Sequence, residues 1–418
     1  MENNVKKTVL ENGLTVITER VEKIQSLSIG MWIKTGSRNE TDHQAGITHL
    51  LEHMLFKGTD NRSAHNIALS MESVGGSINA FTTLEHTCFF ARCLNKHLAK
   101  AVDVLSDMLL RPSLLKEEIE KEKKFILDKK KKKRDNPKDY VLDRFMNVVF
   151  NGHPLGRSIL GHKESVAKLN KQDLCNYMST HYGSDNIIIA AAGDLSHDEV
   201  VSIVKESFLG FNSPSKINYN PVIPPYQKQS EILQNNSNQT HLVIGRRGLS
   251  IKHDDRFKLL LINTILGVGM SSLLHQNIRD TYGYCYSINS TNRSFKDTGV
   301  FSIYAGTSSD YTNRVEELIL KETHKIKSNP VPKTILESAK TKVKGSLLLS
   351  LENMTSRMQR LVKTETYFGR FITLTELITN IESITAQEIQ KFATTFLDET
   401  LFSKTILTPE ENWPSPAE

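Results

Sequence analysis

Residues 47–56 read ITHLLEHMLF, in which His49 and His53 stand four apart and Glu52 lies beside the second. On a helix, positions i and i+4 share one face, so the two imidazoles can hold one cation together. Neutral imidazole suits Zn2+, which in catalytic sites takes three protein ligands and keeps a fourth position for water. Glu52 is close enough to reach that water without being a ligand. The metal lowers the water's pKa toward about 7 and a nearby carboxylate accepts its proton, giving a hydroxide aimed at a peptide carbonyl. His49 and His53 are therefore candidate metal ligands, and Glu52 is a candidate general base. Five such residues can also arise by chance on a polar helix face. Here the neighbours Ile47, Leu50, Leu51, Met54, Leu55 and Phe56 are apolar, so the imidazoles belong to a half-buried helix. Buried polar groups need partners, and a metal supplies them.

The elements that must position these residues alternate between strand and helix. GLTVITERV and SLSIGMWIKTGS read as strands; GITHLLEHMLFKG and SAHNIALSMESVGG carry apolar residues at helical spacing, the latter closed by Gly75 and Gly76. SINAFTTLEHTCFFARCL alternates as a hairpin and HLAKAVDVLSDMLLRP returns to helix. A charged helix over roughly 115–134 and NIIIAAAGDL, a wholly apolar strand, complete the unit. Residues 212–231 are rich in Pro, Asn and Ser without apolar periodicity and read as a linker. Beyond them the order restarts with the strand QTHLVIGRRGLS, the helix RFKLLLINTILGVG and the hairpin GYCYSINSTNRSFKDTGVFSIYAGT; a long helical tail follows. The expected fold class is α+β. It comprises two homologous domains, 1–211 and 232–418, each a mostly antiparallel sheet with helices packed on one face.

At 418 residues, two domains are the natural expectation. No apolar run approaches the roughly 20 residues of a membrane helix, and the N-terminus has neither signal core nor transit composition. A cytoplasmic location is expected. Cys88, Cys93, Cys175 and Cys285 are scattered without a CxxC pair, as for free thiols in a reducing compartment. The net charge is +6, but residues 121–138 hold ten Lys/Arg against three Asp/Glu, so the rest of the chain is near neutral. One local basic patch without interleaved aromatics or a nucleic-acid motif argues for a solvated helix face and against nucleic acid as a partner.

The motif runs His-x-x-Glu-His, the inverse of the common zinc-peptidase order. With LENGLTVITE, GSRNE, GGSINAFTTLEHT, HPLGRSILG, HYGSDNIIIAAAGDL and GMSSLLHQNIRDTYGYCYSI in the same succession, the chain resembles the pitrilysin/insulinase family of zinc metallopeptidases along nearly its whole length. Within it, the chain is similar to the short two-repeat subgroup that includes processing-peptidase subunits. The resemblance implies zinc on His49 and His53, with Glu52 as base. It also implies an edge strand at Asn79, Ala80, Phe81 and Thr82 to which an extended peptide pairs. Arg279 and Tyr286, seven apart in the second repeat, are implied to approach the scissile carbonyl, where an Arg and a phenol can stabilise an oxyanion. Peptide substrates, an enclosed chamber and a homodimer or heterodimer with a related chain are further implications.

In that family the third ligand is a glutamate about 76 residues beyond the second histidine, the latter of a Glu-x6-Glu pair. Here the first of the pair is Glu122, and the second position holds Lys129. A protonated lysine has no lone pair and repels Zn2+. Three accommodations are open: a helix shift that brings in Asp128, a larger one that brings in Glu122, or a site held by the two histidines and water. Two functions follow, a zinc endopeptidase with an altered metal site, or a subunit without catalysis that binds peptides or partners an active chain.

Overall fold

A computed structural model describes residues 4–217 and 221–409. In chain order the regular elements begin with strands β1 (Val5–Val9), β2 (Thr15–Arg20) and β3 (Ser26–Ile33), then helices α1 (Ile47–Met54) and α2 (Ala64–Glu72). The hairpin β4 (Ser77–Thr82) and β5 (Thr87–Leu94) leads into α3 (Leu98–Leu110), α4 (Lys116–Arg134) and α5 (Pro137–Phe150). Helices α6 (Lys163–Lys168) and α7 (Lys171–His181), strand β6 (Ile187–Gly193) and α8 (His197–Ser207) precede the linker. The second half opens with β7 (Ser230–Asn235), β8 (Thr240–Gly248) and α9 (Arg256–Gly267), followed by the hairpin β9 (Cys285–Ser294) and β10 (Gly299–Thr307). Helices α10 (Thr312–Ser328), α11 (Lys333–Ser350), α12 (Met354–Phe368), α13 (Leu374–Glu382) and α14 (Ala386–Phe396) end in strand β11 (Ser403–Pro409).

Two compact units result, and they interleave along the chain. The first contains residues 1–130, 157–222 and 348–371; the second contains 131–156, 223–347 and 372–418. The segment 212–231 lies between the two stretches that supply most of each sheet; its residues 218–220 fall outside the described residues, and its last two begin β7.

The sheet of the first unit has the order β1-β2-β6-β3-β5-β4, antiparallel except for the β2–β6 pair. That of the second has the order β7-β11-β8-β10-β9, antiparallel except for β7–β11. Apart from the extra β1, the two orders match strand for strand, with β3 equivalent to β8 and the β4–β5 hairpin to β9–β10. This is the repeat expected from the restart of element order. In each sheet the first strand of that hairpin is an edge, so β4 keeps one row of backbone groups unpaired by the sheet.

Strand β6 explains the layering. Its alternate residues Ile187, Ile189 and Ala191 enter the main core with Leu50, Leu51 and Met54 of α1. Ile188, Ala190 and Ala192 point the other way, to Trp32, Ile17 and Cys88. That second face is closed by Met358, Leu361 and Val362 of α12, a helix from far along the chain. The second sheet is likewise packed by α5, which arises before β6. A wholly apolar strand requires cover on both faces, so one helix per sheet is added opposite the layer foreseen from sequence. The four cysteines are free, three of them buried. Among the described residues no helix is long and apolar enough to cross a membrane.

Candidate metal centre

Helix α1 starts abruptly because of a glycine and a distant carboxylate. Gly46 adopts φ +96°, and a Cβ there would lie 2.8 Å from Val166 Cγ2. Glycine brings no capping side chain, so the first amides of α1 take an outside acceptor. Glu40 Oε2 accepts from the Gly46 amide at 2.8 Å and Oε1 from the Thr48 amide at 2.9 Å. Glu40 is buried, which raises its pKa to about 7 against the opposing pull of those amides and of Arg157. Behind it, the Tyr177 and Thr48 hydroxyls meet at 3.0 Å.

With its start fixed, α1 sends Ile47, Leu50, Leu51 and Met54 into the core and leaves the opposite stripe to His49, Glu52 and His53. His49 is buried; Glu52 and His53 are half-buried. The two imidazole centroids are 4.6 Å apart. Each of the three residues offers a donor atom within 4.8 Å of the others, and among the described residues this is the one group of three or more His, Cys, Asp or Glu so placed. The Glu52 charge adds to burial in raising the pKa of the Cys88 thiol and of Tyr182.

Helix α4 supplies the outer support. Glu122 Oε2 lies 2.7 Å from His53 Nδ1, and its Oε1 lies 2.7 Å from Lys57 Nζ. Burial works to raise the Glu122 pKa, but the hydrogen bonds from Lys57 and His53 prevail and hold it below the ordinary carboxylate value. A carboxylate accepts only, so Nδ1 of His53 is the protonated nitrogen and Nε2 keeps its lone pair for a cation. The exposed ring of Phe125, with its centroid 5.6 Å from that of His53, lies beside the site.

The donor chemistry fits zinc for two imidazoles with one fixed tautomer and one carboxylate nearby. It does not supply the further carboxylate from α4. That helix runs unbroken from Lys116 to Arg134, so the register that sets Glu122 on His53 places position 129, not 128, two turns on along the same face. Lys129 and Asp128 are both exposed, and neither Asp128 nor Glu122 joins the three-donor group. Of the adjoining basic run, Lys130 donates to the Gly161 carbonyl at 2.5 Å, Lys133 pairs with Asp143 at 2.7 Å, and Lys131 and Lys132 are exposed.

The other sequence-selected residues fall as follows. Asn79, Ala80, Phe81 and Thr82 all lie on edge strand β4, in the same unit as α1, which packs against β4 and β5. Arg279 and Tyr286 belong to the second unit, the first in a π-helical turn over His275–Asp280 and the second on edge strand β9; both are exposed. Glu40 anchors the start of α1 and Lys57 pairs with Glu122, yet no local spacing in the sequence singles them out. The only hint is that a helix opening on Gly46 needs an acceptor from elsewhere.

Residues 15–163 match the family model described as "Insulinase (Peptidase family M16)", and residues 168–343 match "Peptidase M16 inactive domain". The chain is 34% identical over 98% of its length to the whole of a Bacillus subtilis protein named uncharacterized zinc protease YmxG. It is 33% identical over 93% of its length to 90% of the uncharacterized zinc protease Rv2782c of Mycobacterium tuberculosis. In fold it is similar to a protease from Helicobacter pylori, with a TM-score of 0.88 and 22% identity over 97% of this chain and 99% of that one. A peptidase M16 inactive domain from Pseudomonas fluorescens superposes with a TM-score of 0.90 and 18% identity, covering 99% of this chain and 100% of the other. The two-unit α+β fold and the His49–Glu52–His53 helix thus sit in a chain that belongs to the insulinase family of peptidases, family M16.

Proposed function

We propose that the protein is a zinc-dependent metalloendopeptidase that hydrolyses unstructured peptides or leader segments within an enclosed chamber. The observation that carries this reading is the three-donor group on α1 with Glu122 fixing the tautomer of His53. His49 and His53 would hold the ion, which would supply polarisation of the attacking water and of the scissile carbonyl. Glu52 accepts the proton of that water and later returns it to the leaving amine. The unpaired edge of β4, at Asn79–Thr82, binds the peptide as an added strand. Arg279 and Tyr286 donate to the carbonyl oxygen as charge develops on it. A second chain, identical or related, completes the chamber, and the working location is the cytoplasm.

Lys129 favours a second reading, in which the chain binds peptides as the non-catalytic partner of an active subunit. One experiment separates the two: zinc content of the purified protein, followed by cleavage of a quenched peptide with and without chelator. Stoichiometric zinc with chelator-sensitive cleavage supports the peptidase. Absence of both, persisting in Lys129→Glu, supports the partner subunit.

A further inference from the structure

The segment 275–280 carries an arrangement of its own. His275 Nε2 is 3.0 Å from Arg279 Nη1, and His275 Nδ1 is 3.2 Å from Asp280 Oδ2. Gln276 Nε2 donates to the same Asp280 oxygen at 2.8 Å and to the Met270 carbonyl at 2.9 Å. A guanidinium only donates, so Nε2 of His275 is the acceptor and Nδ1 carries the hydrogen that Asp280 receives.

The backbone makes this possible. In an α-helix, residues five apart lie about 140° from one another round the axis and do not meet. Here the turn is π-helical, and the Thr281 amide bonds to the Gln276 carbonyl, five residues back. That widening brings residues i and i+5 toward one face, so His275 reaches Asp280 while still reaching Arg279 at i+4. Asn277 anchors the turn from its other side by donating to Glu322 of α10 at 2.9 Å.

His275 is buried, whereas Arg279 is exposed. An exposed arginine samples many rotamers, and ordering one on binding costs affinity. We propose that His275 is a positioning residue: with its tautomer set by Asp280, it holds the Arg279 guanidinium in one orientation before substrate arrives. One of the five guanidinium hydrogens is used in this contact and four remain for a peptide carbonyl. The inference rests on the assignment of Arg279 to the substrate.

The test uses the full chain with His275→Leu, His275→Gln, Arg279→Ala and the Leu/Ala double variant. It reads kcat/KM on a quenched unstructured peptide, and Kd for that peptide in the Glu52→Gln background. Loss of pre-ordering predicts a roughly three- to tenfold fall for His275→Leu. Recovery is expected in His275→Gln, whose amide oxygen accepts, and no further fall when His275→Leu is added to Arg279→Ala. A ring-nitrogen NMR spectrum is expected to show His275 with hydrogen on Nδ1. The proposal is overturned if His275→Leu is silent while Arg279→Ala is not, if its effect persists undiminished without Arg279, or if the ring carries its hydrogen on Nε2. If Arg279→Ala alone is silent in both readouts, the substrate role of Arg279 fails, and the ring spectrum separates that failure from failure of the clamp.

Discussion

Glu122 lies 2.7 Å from His53 Nδ1 and, through its other oxygen, 2.7 Å from the Lys57 ammonium. Its charge is therefore shared between an imidazole whose Nε2 it leaves available and a lysine four residues on, past the end of α1. A carboxylate so placed orients the ring and raises its basicity toward a cation. The Glu122→Gln variant keeps shape but loses the charge, and its amide can turn a donor toward Nδ1. Zinc affinity, measured by competition with a chromogenic chelator, is expected to fall about 10–100-fold. An unchanged affinity would remove Glu122 from the account of the site.

Lys129 stands two turns beyond Glu122 on α4 and is exposed. Replacing it by glutamate adds a carboxylate to, and removes a cation from, the α4 face that carries Glu122. The expected gain in zinc affinity exceeds the roughly 10–100-fold that an outer partner supplies, because a coordinate bond is added. The same chelator competition measures it, and a gain smaller than the Glu122→Gln loss would mean that position 129 does not reach the ion.

Much of this was legible in the sequence, for local reasons. The i, i+4 histidines, the β4–β5 hairpin and the all-apolar β6 each rest on a pattern that a short segment displays by itself. The edge position of Asn79–Thr82 followed from resemblance and agrees with the sheet order. What escaped depends on residues brought together over long separations. Glu40 caps α1 through Gly46 and Thr48, and α12 covers a sheet more than 150 residues away in sequence. The unbroken apolar run of β6, buried at every position, needs cover on both faces, yet the layering expected from sequence has helices on one face only and does not place α12 there. The π-turn at His275–Asp280 left no trace, since its residues suit an ordinary helix equally well.

Glu52 is the only carboxylate in the three-donor group among the described residues. With lysine at 129, it has two possible occupations, base or donor, and they make opposite forecasts. As a base, Glu52→Gln lowers kcat by about 10²–10⁴-fold, the span of general base catalysis, while zinc content stays as in the parent. As a donor, the same change lowers zinc content together with activity. The first outcome is expected, because the two imidazoles four apart supply the nitrogen donors and Glu52 is the carboxylate left beside them to take a proton. Metal analysis of the variant beside its peptide cleavage rate checks it.

Glu40 links helix α1 to pH. Its burial raises the folded-state pKa from 4.5 to about 7, so the folded chain holds this proton more tightly than the unfolded chain does. The stability it contributes is complete below about 4.5 and declines as pH rises to about 7, above which the buried carboxylate is charged. His86 and His181 act in the opposite sense. Burial lowers each to about 4, with Lys363 adding to the shift at His86, so their contribution is complete above 6.5 and is lost as pH falls toward 4. Comparing the parent with Glu40→Gln at each pH cancels the histidine terms. Glutamine has one accepting oxygen for the Gly46 and Thr48 amides, so the variant is expected to be less stable at pH 5 by about 1–3 kcal/mol, the cost of a buried amide left without an acceptor. At pH 8 the parent carries the desolvated charge and the gap narrows or reverses. Urea denaturation of both proteins at the two pH values measures it, and a gap independent of pH would mean that Glu40 does not titrate in this range.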